Sequence, residues 1–170
     1  MLLILLGALI AVLVIRTLSL RRRLQMMNEH IDHAMNQIGV QIDSQFEALS
    51  ALLALAKKYA ARESELLIET VGARRSTITA MSAPHDVRVQ EGILSEVLER
   101  VSAVAEQYPE LKANENYVRI RNAVESYQTM VRTSCLIYND SVKELNRELC
   151  SFPAFLLGGM FGFRHKDYFM

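Results

Sequence analysis

Met1 to Ile15 is an unbroken apolar run, and Thr17, Leu18, Ser19 and Leu20 prolong it past the single Arg16 to the triplet Arg21, Arg22, Arg23. As a helix, fifteen residues rise about 22 Å and twenty about 30 Å, the thickness of a bilayer's hydrocarbon core. The segment therefore spans if Arg16 lays its aliphatic stem along the helix and places its guanidinium at the interface. The rival is a cleaved signal peptide. It fits less well, because no basic side chain precedes Arg16 and no small-x-small cleavage site precedes the arginines. The cysteines at 135 and 150 lie too far along the chain to carry an N-terminal lipid. Residues 1–20 are thus expected to be a transmembrane anchor. Arginines directly after a span favour the cytoplasmic side, so the expected topology is N-terminus out, remainder in.

The same arginines explain the charge balance. The chain carries 19 basic and 19 acidic residues, but residues 1–23 hold four arginines and no acid, which leaves the rest at net −4. A basic nucleic-acid binder is disfavoured by that split. With 51% apolar and 22% charged residues, the chain is not a disordered one.

Beyond the arginines the pattern is helical throughout. Ile31, Met35, Ile38, Ile42, Phe46, Leu49, Leu53 and Ala56 alternate spacings of four and three, a seam sustained over several heptads. It weakens near Arg62 and resumes as Leu67, Val71, Ile78 and Met81, with Pro84 expected to close this second element. A third helix is expected to start near Asp86 as N-cap, with Val87, Leu94, Val97, Val101, Val104 and Tyr108 on one stripe until Pro109. A fourth opens at Asn114 and carries Tyr117, Ile120, Val124, Tyr127, Val131, Tyr138, Leu145 and Leu149 up to Pro153. No strand-like alternation occurs. Coiled-coil homo-oligomerisation would bury these stripes, but short connections containing proline favour antiparallel packing within the chain.

The expected fold is therefore all-α: the anchor 1–20, an elongated antiparallel four-helix bundle over 21–151, and an apolar tail over 152–170. The outer helices are expected at about 38 residues and the middle two at about 20, or about 57 and 30 Å. The long pair then forms a stalk back to the membrane, with flanks such as Phe46 and Leu49 incompletely covered. An even helix count returns the tail, Phe152 to Phe163 followed by Arg164 and Lys166, to the bilayer. Two fates are open to it: docking at the interface, or folding over the bundle end as a plug. The membrane-interface residues expected are Arg16, Arg21, Arg22, Arg23, Phe161, Phe163, Arg164 and Lys166.

Tyr108-Pro109-Glu110-Leu111-Lys112-Ala113-Asn114, Tyr138-Asn139-Asp140, Phe152-Pro153, Gly162-Phe163 and Tyr168-Phe169 occur in the order and approximate spacing of LemA family proteins. The anchor, the Gln37 to Asp43 seam and Lys58-Tyr59-Ala60 fit as well, so the chain resembles that family over nearly its whole length. It departs at Ser50, where the family pattern has a proline, and at Cys135-Leu136-Ile137, where basic residues are usual. The resemblance implies a membrane-anchored four-helix bundle in the bacterial inner membrane. It further implies an accessory role without a known active site, discussed alongside HtpX-type membrane metalloproteases, envelope quality control and membrane shaping.

Chemistry is sparse. His30 and His33 share a helix face with Glu29 nearby, yet there is no H-E-x-x-H and no Glu three residues before any His. No phosphate-binding or nucleophile-elbow motif is present, and Asn139-Asp140 has no neighbouring His. Cys135 and Cys150, fifteen residues apart, would stand about 22 Å apart on one helix, too far for a disulfide, and are read as small core residues. No enzyme activity, metal or cofactor is expected. The expected role is a membrane scaffold or adaptor. Its partners would be the bilayer, a membrane protein such as a metalloprotease, and further copies of the chain, but not nucleic acid.

Overall fold

A computed structural model describes residues 1–169 and is 80% helical, with no strand among the described residues. The apolar run and the first seam form one uninterrupted helix, α1 (Leu2–Ala56). The chain turns at 57–60 into α2 (Ala61–Arg74), crosses 75–83 without helix, and continues as α3 (Pro84–Gln107), the single turn α4 (Pro109–Lys112), α5 (Glu115–Leu149) and the short α6 (Ala154–Leu157).

α5 returns antiparallel along α1. Arg23 meets Glu148 at 3.3 Å, and the Tyr138 level lies beside Ile31 and Met35. α2 descends beside the upper part of α1, where Arg75 binds Asp43 at 2.8 Å, and α3 climbs again to put Tyr108 against Tyr59. Three legs, α2, α3 and α5, thus pack on α1's seam, every member of which from Ile31 to Ala56 is buried. Each of its larger side chains contributes about 1.5–3 kcal/mol through removal of apolar area from water.

The helix breaks at 57–60, just ahead of Arg62 where the pattern weakens. At Ser50 the helix runs on, since a serine retains the backbone N–H that a proline would remove; its hydroxyl donates back to the Phe46 carbonyl at 2.8 Å. Several other expectations are corrected. The second helix ends at Arg74, well short of Pro84. Ile78 is nevertheless buried, because an extended segment carries it there, while Met81 at the turn is 94% exposed. Pro84 opens α3 instead of closing α2, as suits a residue whose missing N–H is unneeded in a first turn. Asp86 caps from inside the helix, its carboxylate accepting the Ala83 N–H at 2.8 Å. Asn114 does cap α5, accepting from the backbone of Asn116 and Tyr117.

Phe46 and Leu49 are fully buried rather than uncovered: they lie in the four-leg region, and the Arg75 guanidinium sits 5.2 Å above the Phe46 ring. Tyr127 is half-buried, and Cys150, one residue past α5, is exposed.

The crossing segment 75–83 is possible because of two residues. A Cβ on Gly39 would collide with the Ile78 carbonyl oxygen, so only glycine lets this backbone approach α1. Gln90, itself buried, accepts the Ser76 N–H at 2.9 Å and donates to the Arg74 carbonyl at 3.4 Å. One side-chain amide thereby satisfies backbone groups that no helix or sheet partner reaches.

Candidate functional site

The end of the molecule next to the apolar run collects most of the residues singled out in the sequence. Arg16, Arg21, Arg22 and Arg23 lie exposed along α1, and residues 3–15 before them present their side chains outward all round. α1 is long and apolar enough there to cross a membrane. The chain leaving α5 turns back beside this level: Phe152, Pro153 and Leu157 share a cleft with Leu13, Arg16 and Leu20.

The tail divides into two parts with different surroundings. In 152–160, Phe152 (83%), Phe155 (72%), Leu156 and Met160 (80%) are exposed, while Ala154 and Leu157 turn toward the bundle. In 161–169, Phe161, Phe163 and Phe169 pack against the core. Arg164 is exposed, and Lys166 reaches Asp32 on α1 at 2.9 Å. Of the two fates open to the tail, the second part takes the folded-back one, along the side of the bundle. The exposed quartet of the first part was missed; its spacing of three, four and eight from Phe152 is a helical-face signal that the sequence does carry.

The folded-back part follows a groove between α1 and α5. Gly162, at φ +82°, reverses the chain in a conformation that glycine adopts without cost. Asn146 then accepts the Lys166 N–H at 3.0 Å and donates to the Lys166 carbonyl at 2.9 Å. Seven residues away, Asn139 accepts the Phe169 N–H at 2.8 Å and donates to its carbonyl at 2.9 Å. The Phe169 ring stands edge-on to Tyr138 with centroids 4.9 Å apart.

Elsewhere the chemistry stays thin. His30 and His33 are exposed on one face, and no group of three metal-capable side chains occurs among the described residues. Asp140 is exposed beside Lys143, Glu144 and Arg147. Cys135 lies half-buried near Glu91 between α3 and α5. Burial and then the Glu91 charge push its thiol up to about 12, so it stays protonated and unreactive at neutral pH. Burial also raises Glu91, opposed by Arg132.

These features define a class: an antiparallel helical bundle continuous with an N-terminal helix able to cross a membrane. The chain belongs to the LemA family, whose family model matches residues 34–170. That is not a known enzyme family. No curated protein matches the chain.

Proposed function

We propose that this protein is a non-enzymatic membrane scaffold, held to the bilayer at two points and presenting its bundle to a membrane-protein partner on the cytoplasmic side. The observation that carries the reading is the exposed quartet Phe152, Phe155, Leu156 and Met160 beside the end of the apolar helix. Aromatic and aliphatic side chains left in water there lose hydration cost by entering the headgroup region, and Arg16 and Arg21 to Arg23 meet lipid phosphates at the same level. The anchor is thus residues 1–20, the bundle 21–151, and the tail 152–170 provides the second attachment through its first half. Arg164 adds to the basic side of that attachment. Phe161, Phe163 and Lys166 contribute by fixing the tail to the bundle.

The chain has no tryptophan, which makes a single introduced indole a clean depth probe. In full-length protein reconstituted with brominated lipid, F155W fluorescence is expected to be strongly quenched. Quenching no greater than that of Y108W at the far end of the bundle would overturn the second attachment. Affinity purification from native membranes tests the adaptor role. A stoichiometric integral membrane protein, such as a metalloprotease, is expected, and recovery of the chain by itself would remove that role.

A further inference from the structure

The tail segment 163–169 is held in the manner of a bound peptide, and its binding site is built for a backbone. Asn139 and Asn146 are two helical turns apart, so they share a face and are separated by about 10.5 Å. Lys166 and Phe169 are three residues apart, a separation of about 10 Å in extended chain. The two repeats match in length, and each asparagine amide meets both the N–H and the C=O of one residue. These contacts are to backbone atoms alone and carry no side-chain preference. Selectivity comes from two flanking contacts, the Asp32 carboxylate for a cation and the Tyr138 ring for an aromatic side chain three residues further on.

We infer that this groove is an exchangeable site whose occupant is a C-terminal tail, and that it accepts the tail of a second copy of this chain in place of its own. Two observations favour that occupant. The segment carries the lysine and the phenylalanine at the spacing the groove reads. Its attachment runs through Gly159 and Gly162, around which the structure leaves open space. From Gly159 to Phe169 the chain reaches about 33 Å when extended, more than the thickness of a neighbouring bundle two helices deep, about 20–24 Å. Anchored copies share one orientation and height in the bilayer, which places donor tail and acceptor groove in the same plane and raises their effective concentration. Only that shared plane is taken from the membrane reading.

The test uses full-length chains with Cys135 and Cys150 replaced by alanine, co-expressed as a D32C chain and a K166C chain and treated in membranes with a short bis-maleimide. A D32C–K166C dimer is expected. Deleting residues 163–170 from the D32C acceptor is expected to raise its yield at least threefold, because the groove has lost its resident tail. N139A/N146A in the acceptor is expected to lower the yield at least fivefold. No dimer, with complete crosslinking inside a D32C/K166C chain, would overturn the proposal. A dimer whose yield ignores both acceptor changes would do so too, since it reports collision alone. Either failure leaves the F155W quenching result untouched, so the two readings stand or fall separately.

Discussion

Two non-helical segments cross this helical protein, and both are fastened by side-chain amides, yet they differ in what holds them. Segment 75–83 is pinned at one buried point: Gln90 ties its start, Ile78 is buried over Gly39, and helices continue from both ends. Segment 163–169 lies in an open groove and is tied by two asparagines instead of one glutamine. The inner segment has more burial and less chemistry; the outer one has more chemistry and less burial. Burial makes a contact permanent, because release exposes apolar surface. Hydrogen bonds at a surface specify register at small net free energy, since water competes for the same groups.

That contrast fixes an order of effects. Q90L should be the most damaging, about 1–3 kcal/mol, because it leaves the Ser76 N–H and the Arg74 carbonyl without their partner where they meet a buried side chain. Thermal unfolding of the full chain in detergent checks it, and a loss under about 1 kcal/mol would make the inner segment as replaceable as the outer. N139A/N146A should cost only about 1–2 kcal/mol, while limited proteolysis after Gly162 accelerates and the bundle stays resistant. K166A should cost at most about 1 kcal/mol and vanish in high salt, since the Asp32 pair is solvent-exposed by roughly a third. A K166A effect that persists at high salt would mean that the tail packs more tightly than an exchangeable segment should.

The smallest effect belongs to E91Q, beside the Phe169 end of the outer groove. Burial raises the Glu91 carboxyl above 4.5, with Arg132 opposing. Below pH 4.5 both folded and unfolded chains hold the proton, so E91Q and the parent should be alike. As pH rises through the folded value, the parent loses stability by ionising a desolvated group, and E91Q does not. The variant should therefore be a few tenths of a kcal/mol more stable at pH 7 and no different at pH 4, after allowance for solvent screening. Paired pH-dependent melts decide the sign.

The four-legged bundle was legible because burial there follows period. All eight seam residues from Ile31 to Ala56 are buried, as are Val87, Leu94, Val97, Val101 and Val104. What stayed hidden was where the backbone leaves the helix. Ile78 stands seven residues after Val71 and satisfies a heptad, yet an extended chain brings it to the same core from a different geometry. Periodicity records which side chains are buried, without recording the backbone that delivers them. Gly39 and Gln90, which make the crossing possible, act through a close approach and hydrogen bonds to residues well separated from them in sequence. The tail was half legible for the same reason. Its apolar character was plain, but which aromatics face inward depends on the reversal at Gly162, and the asparagine pair acquires meaning only when Lys166 and Phe169 lie opposite.

The unbroken run of α1 from Leu2 to Ala56 makes the protein a lever. From Leu20 to Ala56 the helix extends about 54 Å with no hinge, so with the apolar segment in the bilayer as proposed, the bundle would follow whatever angle that segment adopts there. A change of tilt by about 10°, within the range by which spanning helices adjust to bilayer thickness, moves the far end near Tyr59 and Tyr108 sideways by about 9 Å. Local membrane thickness is thereby converted into the position of a protein surface well away from the lipid.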